Sequence, residues 1–256
     1  MCLILIAWRG HPDYPCVIAA NRDEFHARPA LPAGWWQDEL RILAGRDLSA
    51  GGTWLGLTRE GRFAALTNFR GAVRRDDAPS RGSLVADILL SRDSTSRILD
   101  RLREVGANYN GFNVIFSDGE RLAVYESTLK LGRELAPGIY GLSNHLLDTP
   151  WPKVQNAKSA LSTALKLLPD TSAALALLRD DRPAPDELLP RTGLSQEWER
   201  LVSSAFIRAD DYGTRCSTII SIDRSGGASF EEWTWNAAGM EEGMKSYKFE
   251  VASGRP

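Results

Sequence analysis

Residues 1–25 read MCLILIAWRGHPDYPCVIAANRDEF, with a cysteine directly behind the initiator methionine. The segments Leu3–Trp8 and Cys16–Ala20 are both apolar, and a stretch that contains glycine and proline separates them. This order predicts two strands joined by a turn, which is an antiparallel β-hairpin. Because paired strands lie about 4.8 Å apart, the hairpin should bring the charged segment Asn21–Glu24 beside Cys2.

The position of Cys2 also indicates a chemistry. Methionine is normally removed when the next residue is small, and removal would leave Cys2 with a thiol and a free α-amine. The ordinary pKa is about 7.7–8.0 for an α-amine and about 8.5 for a thiol, so both groups titrate near neutral pH. An amine of this kind can act as the base that activates the thiol. If the methionine is retained, this base is lost and a binding role is favoured.

The composition is that of a globular protein in a reducing compartment. Of the 256 residues, 43% are hydrophobic and 25% are charged, which allows a full hydrophobic core. A formal net charge of −2 without a long basic run argues against a nucleic-acid partner. The three cysteines lack the spacing of a disulfide framework or a zinc site. Because the sequence contains neither a signal peptide nor a membrane span, we expect a cytoplasmic protein, of unknown oligomeric state.

Strand pairs alternate with helix pairs along the rest of the chain. Turn signals and apolar runs predict strands at Thr53–Thr58, Arg62–Asn68, Phe112–Phe116, Leu122–Tyr125, Leu129–Leu135, Gly138–Leu142, Thr214–Asp223, Ala228–Asn236 and Ser246–Val251. Apolar residues at helical spacing predict helices at Gly82–Leu90, Thr95–Val105, Pro152–Leu168, Ser172–Arg179 and Leu194–Val202.

This pattern lacks the signatures of parallel βαβ units, so we predict an α+β fold with two mainly antiparallel sheets. Helix pairs would cover the outer faces of the sheets. Two such sheets stacked face to face would form a four-layer αββα sandwich. Because no repeat or linker interrupts the pattern, residues 1–256 are predicted to form a single domain.

Several blocks of the sequence resemble one known family. They are Met1-Cys2, Ala19–Phe25 with Arg28-Pro29, Gly51–Gly56, Ala65–Asn68, Tyr109–Asn113, Tyr140–Asn144 with Thr149–Trp151, and Tyr212–Arg215. On these blocks the chain is identified as a member of the NRDE family, also called the transport and Golgi organisation 2-like family. The family resembles N-terminal-nucleophile (Ntn) hydrolases, and this implies the αββα sandwich. Its relatives in that fold are similar to bile-salt hydrolases and penicillin V acylases, whose cysteine attacks a non-peptide amide.

The resemblance implies that Cys2 is the nucleophile and that its α-amine is the base. A carboxylate would orient the amine, and Asp23 is preferred here over Glu24. A structural turn with an internal ion pair is the alternative interpretation of this charged segment. The other catalytic residues that the resemblance implies are Arg22, Asn68, Asn144 and Arg215.

Three of these four residues would stabilise a negative charge during the reaction. Arg22 would favour the thiolate electrostatically. Asn68 and Asn144 fall where the acylases place asparagines around the oxyanion, and each such donor can lower the barrier by roughly 3–4 kcal/mol. Arg215 would be a further arginine of the site, although an edge arginine paired with a nearby aspartate is the alternative.

Candidate binding residues are Asn21, Glu24, Trp54, Arg70 and His145. Trp54 could line an apolar cleft, Arg70 could hold a carboxylate, propionate or phosphate group, and His145 could ligate haem iron. Two hypotheses of function follow. The first is an enzyme that hydrolyses a small acyl amide or thioester and requires no cofactor or metal. The second is a protein that binds and carries haem, acyl-CoA or lipid. The resemblance implies this because the family is linked to haem handling and to lipid or acyl-CoA homeostasis.

Overall fold

The structure is a computed structural model, and it describes residues 2–71 and 74–252. Met1, whose removal the sequence leaves open, lies outside the described residues. The chain forms two compact units. The first contains the residues up to Ala27, Pro137–Arg224 and Ser229–Tyr247, and the second contains the remainder. The assignment of the whole chain to one domain stays a prediction.

Strands and helices make up most of both units. The described strands are β1 (Cys2–Trp8), β2 (Cys16–Phe25), β3 (Ala30–Trp35), β4 (Ile42–Asp47), β5 (Leu55–Thr58), β6 (Phe63–Asn68), β7 (Phe112–Ser117), β8 (Leu122–Glu126), β9 (Leu131–Leu135), β10 (Gly138–Leu142), β11 (Tyr212–Ile222), β12 (Gly227–Trp235) and β13 (Glu241–Glu250). The described α-helices are α1 (Gly82–Leu90), α2 (Thr95–Val105), α3 (Pro152–Ala164), α4 (Ser172–Leu178) and α5 (Gln196–Leu201). Short 3-10 helices lie at Gly106–Asn108, Leu165–Leu167 and Asp186–Leu188.

The first unit contains a six-stranded sheet in the order β10-β1-β2-β11-β12-β13. β1 pairs antiparallel with β10 on one side and with β2 on the other. Leu3, Leu5 and Ala7 of β1 pack with α3 and α4 in one hydrophobic cluster. All residues of β1 are buried. A central strand with both faces covered explains the uninterrupted apolar run of the sequence.

The second unit contains a seven-stranded sheet whose order, β3 to β9, is the order of the chain. Each strand pairs antiparallel with the next, as in a meander. Ile88 of α1 and Leu102 of α2 pack with Phe112 and Phe116 of β7 in a second hydrophobic cluster. Each unit therefore has a mainly antiparallel sheet with helices on one face, and the predicted α+β fold class is confirmed.

A few element bounds differ from those that the sequence predicts. β3 and β4 were not predicted, because β3 contains proline and glycine and β4 is only partly apolar. Helix α3 ends at Ala164, not at Leu168, since a 3-10 helix and then Pro169 follow it. Within residues 2–71 and 74–252, no helix is long and apolar enough to cross a membrane.

Candidate active site

The predicted hairpin is present, and it places Cys2 directly opposite Arg22. On the other side of β2, Arg22 lies opposite Cys216 of β11. All three side chains are at least nine-tenths buried. Residues in register on neighbouring strands share a face of the sheet. Because Leu3 next to Cys2 packs against the helices, the row Cys2–Arg22–Cys216 lies on the face away from them.

Residues after β10 hold the backbone of Cys2. The side-chain oxygen Oδ1 of Asn144 accepts a hydrogen bond from the backbone nitrogen of Cys2 at 3.4 Å. The hydroxyl of Ser143 donates to the carbonyl oxygen of Cys2 at 3.0 Å. Both residues are buried. Asn144 therefore contacts the nitrogen that becomes the α-amine when the chain begins at Cys2. Ser143 was not singled out in the sequence, although it lies inside a family block.

Asp23 is buried on the helix side of the sheet. Its carboxylate oxygen Oδ1 accepts from the hydroxyl of Thr214 at 2.7 Å, and its carbonyl oxygen accepts from the hydroxyl of Tyr212 at 3.0 Å. Burial raises the pKa of Asp23, while the charges of Lys153 and Arg22 and the hydrogen bond from Thr214 oppose the rise. Nothing in the sequence marks Lys153 as part of the site, because it lies 130 positions further along the chain, in the first turn of α3.

The alternative carboxylate, Glu24, has a different environment. Its side chain is half-buried and accepts a hydrogen bond from the backbone nitrogen of Phe25 at 3.0 Å. Asp23, by contrast, raises the pKa of the Cys2 thiol through its negative charge, so the two groups are close. Asp23 as the carboxylate that orients the α-amine stays a prediction.

The side chain of Asn21 forms hydrogen bonds with three other segments of the chain. Its side-chain nitrogen Nδ2 donates to the carbonyl oxygens of Leu178 and Ala205 at 2.7 and 2.8 Å. Its oxygen Oδ1 accepts from the hydroxyl of Ser217 at 2.6 Å, and Ser217 in turn accepts from the indole of Trp235. The side chain is fully buried. This geometry gives Asn21 a structural role, and contact with a ligand stays a prediction.

The groups around the Cys2 thiol shift its pKa in both directions. Burial is the main effect on its pKa and raises it, and the charge of Asp23 raises it further. A hydrogen bond from the backbone nitrogen of Asp23 and the charge of Arg22 lower it. The pKa of Cys16, at the far end of the hairpin, is raised to about 12 by burial alone. Cys2 therefore has, unlike Cys16, local groups that favour its thiolate.

Arg215 and His145 lie in the same unit as Cys2. Arg215 occupies a bulge of β11, and its guanidinium nitrogen Nη1 donates to the carbonyl oxygens of Phe25 and His26 at 3.0 Å each. His145 follows Asn144, and its ring nitrogen Nδ1 lies 2.9 Å from the hydroxyl of Thr149. Both the role of Arg215 in the site and its alternative pairing with a nearby aspartate, Asp210 or Asp211, stay predictions.

The predicted residues Asn68, Trp54 and Arg70 belong to the second unit. Asn68 is the last residue of β6, lies opposite Phe112 and is exposed. Trp54 is half-buried just before β5, and Arg70 is buried after β6. A contribution of these three residues to the site around Cys2 stays a prediction.

The described part of the chain offers no ready metal site. No group of three or more histidine, cysteine, aspartate or glutamate side chains is arranged there to hold a metal ion. Among the described residues, Arg22, Asp23, Ser143 and Asn144 contribute polar atoms next to Cys2. This set can hold an amine, stabilise negative charge and move a proton.

The fold and the site define an α+β protein of two mainly antiparallel sheets, with a buried cysteine at the start of a central strand and an arginine across from it. The family model for Transport and Golgi organisation 2 matches residues 1–237. The chain belongs to this family, so the family predicted from the sequence blocks is confirmed.

Relatives of the chain extend over nearly its full length. It is 36% identical to the Transport and Golgi organization protein 2 homolog of Bos taurus, over 91% of this chain and 92% of that protein. The Homo sapiens homolog is 34% identical over the same shares. The Transport and Golgi organization protein 2 of Drosophila melanogaster is 28% identical over 96% of this chain and 99% of that protein.

The chain is also similar to solved structures at low sequence identity. One is the N-acylethanolamine-hydrolyzing acid amidase ortholog of Caenorhabditis elegans, with 10% identity, a TM-score of 0.48 and coverage of 86% of this chain and 92% of that chain. Another is a mutant conjugated bile acid hydrolase from Clostridium perfringens, with 13% identity, a TM-score of 0.45 and coverage of 98% of both chains.

Proposed function

We propose that the protein hydrolyses the non-peptide amide or thioester bond of a small acyl substrate, with Cys2 as the nucleophile. The observation that carries this proposal is the set of contacts at the start of β1. There, Cys2 lies opposite Arg22, its nitrogen contacts Asn144, and Asp23 is buried beside it. A thiol, an adjacent nitrogen and charged groups that act on both are the parts of an activated nucleophile.

The first half of the reaction acylates Cys2. In the chain that begins at Cys2, the α-amine takes the thiol proton and the sulfur attacks the substrate carbonyl carbon. The new C–S bond places a negative charge on the carbonyl oxygen. Asn144 uses its Oδ1 atom on the Cys2 nitrogen, so its amide N–H groups are the donors for this oxyanion, and Arg22 adds positive charge. The C–N bond of an amide then breaks, and the α-ammonium protonates the leaving amine.

The second half restores the enzyme. The α-amine takes a proton from water, and the resulting hydroxide attacks the thioester carbonyl of acylated Cys2. The C–S bond breaks, the acid leaves, and the sulfur recovers the proton from the α-ammonium. Asp23 stabilises the α-ammonium in both halves. Thr214 donates a hydrogen bond to the carboxylate of Asp23, and the positive charge of Lys153 balances that carboxylate. No external cofactor enters these steps.

Retention of one residue before Cys2 is expected to slow hydrolysis by about 10²–10⁴-fold, the usual contribution of a general base. The extra residue converts the α-amine into an amide, which cannot take the thiol proton. The test compares a chain cleaved to begin at Cys2 with a matched chain that carries one additional alanine. Both are assayed against a panel of acyl amides and acyl thioesters. Equal rates for the two chains would contradict the amine as the base.

A second candidate function is the binding of haem for transport. The specific observation is that an oriented imidazole directly follows the residue that contacts the backbone of Cys2, and both imidazole and thiol can ligate haem iron. Asn144 contacts Cys2, and His145 is the next residue, oriented by Thr149 and by the ring of Trp151 at 5.7 Å. An oriented imidazole is what an iron ligand requires.

Titration with haem distinguishes this second function. If it holds, a saturable Soret shift appears with the wild-type protein, and His145→Ala weakens or removes it. His11→Ala is the matched control, because His11 lies in the turn between β1 and β2 and its ring accepts hydrogen bonds from Asp13 and Tyr14. A Soret titration that is identical in wild type and His145→Ala contradicts ligation by His145.

A further inference from the structure

Glu232 is a buried carboxylate that the reaction above does not use. It lies on β12 with only 2% of its surface exposed. The hydroxyl of Thr218 on β11 donates to its carboxylate oxygen Oε2 at 3.2 Å. Burial of a negative charge is costly, and a positive charge nearby usually offsets the cost.

The sheet places Glu232 at the end of the row that contains Cys2. Thr218 is two residues from Cys216, so both point to the same face of β11, and Glu232 reaches them from β12. Cys216 lies opposite Arg22, and Arg22 lies opposite Cys2. Four adjacent strands thus contribute thiol, guanidinium, thiol and carboxylate to one buried row.

The neighbouring residue Glu231 points the other way. Its carboxylate accepts from the hydroxyl of Thr171, just before α4 on the helix side of the sheet. It is also more exposed than Glu232. Two consecutive glutamates therefore occupy opposite faces, and only Glu232 belongs to the row.

Cys216 lies between the two charges of the row and responds to both. Burial is the main cause that raises the pKa of its thiol. Glu232 raises this pKa through its negative charge and by accepting a hydrogen bond, whereas Arg22 lowers it. A small side chain between Arg22 and Glu232 allows both charged groups to act across it.

We propose that Glu232 is a positioning residue that balances the charge of Arg22 and thereby sets the reactivity of Cys2. This inference rests on the proposed function, in which Cys2 is the nucleophile. Glu232 touches neither substrate nor sulfur of Cys2 in this scheme, and it acts through Arg22. With the carboxylate in place, Arg22 is held by an opposite charge and Cys2 stays a thiol until its α-amine removes the proton.

The groups that act on the charge of Cys2 come from three strands. They are Arg22 and Asp23 of β2, Cys216 of β11 and, across Cys216, Glu232 of β12. In the processed chain the α-ammonium of Cys2 itself is added to them. Removal of the Glu232 charge leaves Arg22 uncompensated, and a net positive field favours both thiolates.

The test measures the rate at which iodoacetamide alkylates Cys2 as a function of pH, by peptide mass spectrometry. Glu232→Gln should alkylate about three- to tenfold faster than wild type near pH 7, with its profile shifted to lower pH, because a charge is lost about three strand spacings, or about 14 Å, from Cys2. Glu231→Gln is the matched control and should follow wild type. A profile of Glu232→Gln that coincides with both would overturn the inference.

Two further outcomes keep this inference separate from the proposed function. If Glu232→Gln does not fold, the double variant Arg22→Gln/Glu232→Gln should fold, because it removes both buried charges. Failure of the double variant as well would show a packing role for Glu232 and overturn the inference. Alkylation of Cys2 that is normal but insensitive to Glu232 defeats the inference alone. A Cys2 that is inert in every protein at every pH defeats the proposed function with it.

Discussion

Replacement of Cys2 by alanine is expected to lower the turnover of an acyl amide or thioester by on the order of 1,000-fold or more. Without the sulfur, no acyl-enzyme forms, and the α-amine, Asn144 and Arg22 can act only on direct attack by water. The stability of the fold should change little, because Cys2 is the first residue of its strand and alanine fits the same space. Turnover and thermal unfolding of the same sample check both statements.

Cys16→Ala is the matched control for this prediction. Cys16 is buried on the neighbouring strand of the same hairpin, at the end away from Cys2, where it lies opposite Trp8. Its loss should leave turnover near the wild-type rate. Activity that survives Cys2→Ala, or that falls equally in Cys16→Ala, would contradict the role of Cys2.

The second large effect concerns stability. Asn21→Ala is expected to lower the free energy of unfolding by about 3–5 kcal/mol, because three buried hydrogen bonds are lost together. The carbonyl oxygens of Leu178 and Ala205 then remain buried without the amide that satisfies them in the native structure. Urea denaturation followed by tryptophan fluorescence measures the change.

The control for Asn21→Ala is Asn156→Ala, on the exposed side of helix α3. An exposed substitution of this kind should change the free energy of unfolding by no more than about 0.5 kcal/mol. If Asn21→Ala also stays within this range, the three hydrogen bonds of Asn21 do not stabilise the fold by the expected amount. Asn21 would then be better explained as a ligand contact.

Much of the fold could be predicted because local patterns agree with the global structure. The bounds of α1 and α2 follow from apolar residues at helical spacing. The first hairpin follows from two apolar runs around a turn, and its register places Cys2 opposite Arg22. The strands β3 and β4 were missed because Pro32 and Gly34 interrupt the apolar pattern of β3, and β4 ends in polar residues.

The candidate site was only partly predictable, for a physical reason. Cys2 and Arg22 are joined by a single hairpin, so local geometry brings them together. Lys153 and Glu232 reach the site through α3 and β12, and no local pattern indicates which distant segment packs against which. Glu231 and Glu232 look equivalent in the sequence, but only Glu232 is buried, and the sequence does not indicate this difference.

The most direct test of the account locates an acyl group on the protein. The chain that begins at Cys2 is mixed briefly with a p-nitrophenyl acyl ester and analysed by peptide mass spectrometry. We predict an acyl group on Cys2, with Cys16 and Cys216 unmodified, because burial raises the pKa of both of those thiols and neither has an α-amine to take its proton. An adduct on Cys16 or Cys216 to the same extent, or no adduct on Cys2, would contradict it.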